Sequence, residues 1–498
     1  MIVGVFLVFV QSLTSSSRLG LAMISHVAWL KRAGIAGLLS IAVTGCSDNS
    51  SSFSISDRTR SLIPEAQTGV SEAPGVVKLL DEKFGDPQTL KAWTKLPVQW
   101  GGAAAKVEVF AADGAEAKVK FVPGEGQTFP EKATTVNVVT GAVAGRTLQL
   151  ASWNAATGEA VLTGLDGASL AAGDTCSIDG GAVIQSGRVL YMRHCSHCHG
   201  TAGDGNGPTA QYLYPRPRDY RHGVFKFTST NDMSKVSRED LLRILRYGIP
   251  GTYMPSFLLM KDEELTAIVE YVRFLAMRGE FERKLVNELA SDYSEEAVES
   301  RLKDETRTDI VGELAKFLAD DVPGVVDGIG VELEESWVAA DTDEAKIIPS
   351  VPRVPDSVES RRRGRELYLS KTLNCADCHG IDGAGNGPQT MIFEKNPVTN
   401  VPYNEPGLHD VWDNLNQPRN LHTGILRGGR RPIDLFCRIH AGIKGSRMPS
   451  FKNTPHEDIW HIVNYVLSIP FEPEPGATGV ASVPAGSATD TAAPAAGE

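Results

Sequence analysis

Two short stretches, Cys195-Ser196-His197-Cys198-His199 and Cys375-Ala376-Asp377-Cys378-His379, decide how this chain is read. Both have the form Cys-x-x-Cys-His, the attachment signature of a c-type haem. Two residues between the cysteines put the thiols one helical turn apart. The sulfurs can then bond the two vinyl groups on one porphyrin edge, and the adjacent histidine can offer its ring to the iron. Two rival chemistries use the same cysteine pair. A redox disulfide expects a βαβ context and gives the histidine no role. A zinc site expects its remaining ligands in a second cluster about a dozen residues away. The spacing therefore favours two haem c groups, covalently bound through Cys195, Cys198, Cys375 and Cys378, with His199 and His379 as iron ligands.

Working outward, the two motifs sit in an internal repeat covering 183–277 and 360–470. GRVLYMRHCSHCHG aligns with GRELYLSKTLNCADCHG, and GDGNGP (203–208) with GAGNGP (383–388). PRDYRHGVFKF (217–227) aligns with PRNLHTGILRG (418–428), and ILRYGIPGTYMPSF (244–257) with RIHAGIKGSRMPSF (438–451). AIVEYVRFL (267–275) aligns with HIVNYVLSI (461–469). Five blocks in one order mean a duplicated domain. Apolar residues at helical spacing make the first and last segment of each copy a helix. Gly187 and Gly364 suit a close crossing of that pair. Thr454-Pro455-His456-Glu457 reads as a capping box opening the last helix.

Met254 and Met448 stand at equivalent places in Met-Pro-Ser-Phe, 55 and 69 residues after His199 and His379. Proline disfavours helix in the residue before it, so each methionine lies in an extended loop. Recurrence in both copies marks Met254 and Met448 as the second axial ligands, which leaves no vacant iron position and raises the potential relative to two histidines. The longer second interval holds extra residues around VTNVPYNEPGLHDVWDN. His194 and His197 read as surface residues. His222, His422 and His440 have no counterpart in the other copy and are not expected to bind iron. Arg218 and Arg419, each after a proline, are candidate partners for haem carboxylates.

The remaining segments are plainer. KVEVF (106–110), AKVKF (117–121), TTVNVV (134–139) and TLQLASW (147–153) alternate apolar and polar residues, so 75–180 is expected to be a β-rich module. Trp93, Trp100 and Trp153 read as core anchors there. Cys176 reads as a buried or free thiol, with pairing to Cys437 left open. Residues 278–359 read as a charged helical linker with a solvated polar face, long enough to let the two repeats engage partners separately. Residues 46–74 are Ser-rich and read as a flexible tether, and 471–498 as a disordered tail.

The chain has 498 residues, is 42% hydrophobic and 22% charged, and carries a formal net charge of −12. These values exclude a wholly disordered chain, a collagen and a polytopic membrane protein, and argue against a nucleic-acid surface. Seven cysteines are too few for a disulfide scaffold. Residues 1–45 pair Lys31-Arg32 with an apolar run too short to span roughly 30 Å of hydrocarbon, and so read as an export signal; Met23 offers a second start. Val43-Thr44-Gly45-Cys46 resembles a bacterial lipobox, which implies cleavage before Cys46, lipidation of its thiol and a lipid anchor in the membrane, with the protein facing the periplasm.

The two repeats resemble the cytochrome c superfamily, as two consecutive class I-like domains, and are similar to the third subunit of cbb3-type oxidases in the Gly-rich stretch after each histidine and the closing YMPSF or RMPSF. The resemblance implies a multidomain fold of two mainly α cytochrome c domains behind a β-rich amino-terminal module. It also implies single-electron transfer, with redox partner proteins drawn from quinol-oxidising complexes, dehydrogenases and terminal oxidases. An enzyme of the dihaem peroxidase kind is the alternative; it needs an iron that can open a position, against which the two Met-Pro-Ser-Phe loops argue. A cytochrome subunit built into an oxidoreductase complex shares the chemistry and differs only in partner.

Overall fold

The computed structural model describes residues 52–472, apart from 89, 92, 94, 114–115, 125–127, 145, 180–181 and 398. The expected signal and lipobox with Cys46, and the tail beyond 472, lie outside the described residues.

The β-rich module is a closed six-stranded barrel. After two short paired strands, β1 (Gly69–Val70) and β2 (Ala73–Pro74), come β3 (Ala103–Asp113), β4 (Glu116–Pro123), β5 (Thr135–Val138), β6 (Thr147–Asn154), β7 (Glu159–Thr163) and β8 (Thr175–Ile178). Around the barrel the order is β3-β4-β7-β6-β5-β8, and β8 closes it against β3. Period-two alternation supplies the interior: Val107, Val119, Phe121, Val136, Leu148, Leu162 and Ile178 are buried together. Closure leaves no open edge to pair with another chain. Cys176 is a buried free thiol in this core, whereas Cys437 is buried in a different one, so the two are not paired.

The segment before the barrel corrects two expectations. Residues 52–74 are not a flexible tether: Phe53, Leu62, Ile63 and Ala66 are buried in one core with the first repeat. Residues 75–100, including Trp93 and Trp100, pack on that core and not on the barrel. Serine-rich composition concealed a few apolar side chains that are enough to anchor the strand of chain. Ser56 also caps a short helix, Asp57–Arg60, and Glu282 accepts from the Ser56 backbone N–H at 2.6 Å.

Each repeat opens on a leading helix (Ala182–His194; Val358–Leu369) that crosses a closing helix (Asp262–Tyr293; His456–Ser468). The crossings are tight for a covalent reason. A Cβ on Gly187 would stand 2.0 Å from the Ala267 carbonyl oxygen, and one on Gly364 would stand 2.0 Å from that of His461. Tyr191 meets Tyr271 at 5.2 Å between ring centroids, and Tyr368 meets Tyr465 at 5.4 Å. The expected capping box is not formed: Pro455 takes the N-cap position of the last helix and no side chain caps it.

The first closing helix does not stop near 277 but runs unbroken to Tyr293, a length of about 48 Å at 1.5 Å per residue. Behind it, Glu295–Arg301, Arg307–Lys316 and Val322–Ala339 fold back onto the first repeat. Ile310, Leu314, Leu333 and Trp337 are fully buried in the shared core. The polar face is not wholly solvated either. Glu270, Arg273, Arg278, Glu280 and Glu282 are buried, and they are met by partners: Arg238 with Glu270 at 2.5 Å, Lys235 with Glu280, and the Trp337 indole donating to Glu280 at 3.0 Å. Residues 278–340 therefore buttress the first repeat and are not a free spacer, whereas 347–354 pack on the second repeat, with Ile347 in its core and Val354 against it. The charges misled because buried ion pairs look the same in sequence as solvated ones.

The two repeats touch directly. Arg243 pairs with Asp434 at 2.7 Å and Lys226 with Asp410 at 2.9 Å. Lys444 donates to Thr230 at 2.9 Å and to the Ser234 carbonyl at 2.6 Å.

Candidate haem sites

Each Cys-x-x-Cys-His stretch forms a single helical turn at the end of its leading helix. In the first, Cys195 is the N-cap of Ser196–His199. In the second, Asn374 adopts a left-handed conformation, φ 52°, and starts the turn Cys375–His379. That residue belongs to the three-residue extension of the second copy, and asparagine is among the few side chains that take this conformation cheaply. A tyrosine upstream, four residues before Cys195 in the first copy and seven before Cys375 in the second, then ties each motif down. Tyr191 donates to the Gly200 carbonyl at 2.8 Å and Tyr368 donates to that of Gly380 at 2.6 Å. Both tyrosines are buried, so a lost partner would leave a costly unpaired hydroxyl. The positioning role of this pair was missed from sequence, although both stand four residues after the crossing glycine, Gly187 or Gly364.

The methionine loops are also duplicated in geometry. The Ile249 N–H donates to the Met254 carbonyl at 3.1 Å, and the Ile443 N–H to that of Met448 at 3.1 Å. Gly248 and Gly442, at φ 66° and 72°, end the preceding helices where a side chain would strike the backbone at Met254-Pro255 and Met448-Pro449. Thr252 and Ser446 hydroxyls accept from the methionine N–H groups at 3.1 and 3.2 Å. Both sulfur-bearing side chains are partly buried against apolar neighbours.

Cys195, Cys198, His199 and Met254 line one cavity, and so do Cys375, Cys378, His379 and Met448. It is the same cavity, continuous across both repeats, with a volume of about 1500 Å³. A pocket for one drug-sized ligand is about 300–1,000 Å³. Its walls are apolar side chains such as Leu245, Val272, Ile439 and Ile462, joined by cations including Arg218, Arg419 and Arg427. That lining suits a flat apolar macrocycle carrying carboxylates, and each half offers it two thiols, one imidazole and one thioether. Among the described residues, no three His, Cys, Asp or Glu converge as a cage for a bare metal ion.

Burial sets the protonation of the two candidate ligand histidines. Burial pushes the His199 ring down to about 4, and burial also lowers His379. Both are neutral imidazoles near pH 7, the form a metal requires. His199 Nδ1 lies 3.2 Å from the Arg218 carbonyl oxygen. A carbonyl can only accept, so Nδ1 holds the proton and Nε2 keeps its lone pair. Tyr220 stacks on the same ring at 4.7 Å. In the second half the Arg419 carbonyl faces His379 without reaching hydrogen-bond geometry, and His379 Nδ1 is buried with no partner. The thiols are raised by burial, Cys195 to about 12 and Cys375 to about 11, and so are protonated.

Other histidines are placed otherwise. His197 is exposed, but His194 is half-buried, its ring 6.4 Å from Phe257, so it is not the surface residue expected. His222 stands 5.4 Å from the Trp412 ring, His422 is 3.6 Å from Asp382, and His440 packs on Phe436 at 6.0 Å.

Comparison with known proteins agrees with the repeat. Residues 182–272 match the family model described as cytochrome c oxidase, cbb3-type, subunit III, and residues 362–470 match the model described as cytochrome c. No curated protein matches the chain. Among solved structures, the reducing HAO-like protein complex of Kuenenia stuttgartiensis is similar, with a TM-score of 0.39 and 20% identity, over 57% of this chain and 96% of that one.

Proposed function

We propose, from the premise that this chain carries two cytochrome c domains in tandem, that it is a dihaem c-type cytochrome passing single electrons between redox partner proteins. The observation that carries this reading is the duplication of one donor set, two thiols, an imidazole and a thioether, on the walls of one cavity. Cys195 and Cys198 would hold one haem covalently, with His199 and Met254 as its axial ligands; Cys375, Cys378, His379 and Met448 would hold the other. Bound haem c supplies an iron that gains or loses one electron without exchanging a substrate.

The chain's own residues do the rest. Tyr191 and Tyr368 fix the motif turns; Arg218 sets the His199 tautomer through its carbonyl; the apolar walls keep water from the ring faces. Two methionine loops of matching geometry speak for carriage and against peroxide chemistry, which needs one vacant position. The partners proposed are a quinol-oxidising complex or a dehydrogenase on the donor side and a terminal oxidase on the acceptor side. No described helix is long and apolar enough to cross a membrane. Export and lipidation at Cys46 would confine the protein to the membrane surface facing the periplasm.

The test is haem stoichiometry by the pyridine haemochrome assay, in a host competent in cytochrome maturation. Two haems per chain are expected, falling to one in Cys198→Ala and to one in Cys378→Ala. A colourless wild-type protein would refute the reading.

A further inference from the structure

The second repeat contains an insertion with no counterpart in the first, and the function proposed above gives it no work. It folds on itself: Phe393 bridges Gly407, Lys395 bridges Pro402 and His409 bridges Leu415, while Tyr403 stacks on His409 at 3.7 Å. Its tip, Asp410 to Trp412, reaches the first repeat. Asp410 pairs with Lys226 at 2.9 Å, both side chains nearly buried. The Trp412 indole lies beneath the Arg218 guanidinium, 3.5 Å from Cζ to the ring centroid, with His222 beside it at 5.4 Å. Trp412 lines the shared cavity, and its buried Nε1 has no acceptor among the described residues.

Arg218 thus belongs to both halves. Its carbonyl oxygen faces the His199 ring and its side chain lies on an indole of the other repeat. The path from the first candidate ligand to the second repeat is therefore a short run of packed groups: His199, Arg218, Trp412. Trp412 also reaches the second methionine loop, since its ring occupies the space where a side chain on Gly445 would stand.

We infer that Trp412 is the bridge between the two haem sites, carrying electron exchange inside the chain; this rests on the dihaem reading. In that exchange one centre is oxidised by one electron and the other is reduced by one, with no bond made or broken and no net change in the tryptophan.

Exchange spectroscopy on the half-reduced protein, following the paramagnetically shifted haem methyl resonances, reads the concentration-independent exchange rate between the sites. Trp412→Leu is expected to slow it several-fold and Trp412→Tyr to restore most of it, since an aromatic ring at the interface is what the bridge requires. A rate in Trp412→Leu equal to wild type would overturn the proposal. So would equal slowing in both variants, which would mean that the wedge acts by shape alone. Haem stoichiometry and low-spin spectra of the same samples separate the two ideas. Two haems per chain with unchanged exchange defeats the bridge and leaves the cytochrome reading standing. Wild-type protein without haem defeats the cytochrome reading instead.

Discussion

At the first site the Arg218 carbonyl takes the proton side of His199 and Tyr220 stacks on the ring; at the second, the Arg419 carbonyl falls short and Leu421 stands at the place of Tyr220. The backbones around them are nearly superposable in their bonding. Gly205 donates to the His199 carbonyl at 2.9 Å, and Gly385 donates to that of His379 at 2.8 Å. A duplicated frame has therefore kept its main-chain bonds while its side chains diverged. The difference teaches where the two sites can be tuned apart. A histidine that donates through Nδ1 is a more basic ligand, which favours the oxidised metal. The surroundings differ as well. The first repeat shares its core with residues 53–98 and with the buttress helices, whereas the second has a core of its own.

The comparison can be broken most severely at the helix crossings. Gly187→Val and Gly364→Val both place a side chain into a backbone carbonyl, and overpacking of this kind costs about 1–3 kcal/mol or more. Each is expected to abolish folding of its own repeat, read as loss of one haem per chain. Two haems in either variant would show that the crossings relax.

Next in size is the buttress. Trp337→Ala should cost about 3–5 kcal/mol, the range for emptying a buried tryptophan site. Calorimetry is expected to show the first repeat melting earlier while the second keeps its transition. A shift confined to the second repeat would contradict the shared core.

The histidine environments come third. In Cys378→Ala, which keeps only the first haem, the midpoint potential should be lower than in Cys198→Ala, which keeps only the second. The sign follows from the His199 hydrogen bond that His379 lacks. Equal or reversed potentials in a redox titration would remove it as the tuning element.

The smallest effect is expected at Asn374. Asn374→Ala puts a residue with a Cβ penalty and no local side-chain bonding into a left-handed turn, at a cost of about 1 kcal/mol. Chemical denaturation of the second repeat measures it, and no change would mean the turn rearranges freely.

The candidate donor residues and four of the six barrel strands could be read from sequence because short-range rules govern them. A five-residue motif carries its own geometry, and strand alternation repeats every two residues. Recurrence then doubled the signal for Met254 and Met448. β7 and β8 were not read as strands. The buried charges of the long closing helix were misread because a sequence gives no sign of which face a distant segment will cover.

From its residues alone, then, this protein determined which side chains could hold two haems and that one domain had been copied. Only tertiary structure decided that both sites open on a single cavity, that the amino-terminal segment and residues 278–340 buttress the first repeat, and that Trp412 lies against Arg218. Those facts depend on contacts between segments far apart in the chain, and such contacts are set by shape and burial in three dimensions, for which local sequence carries no period or spacing.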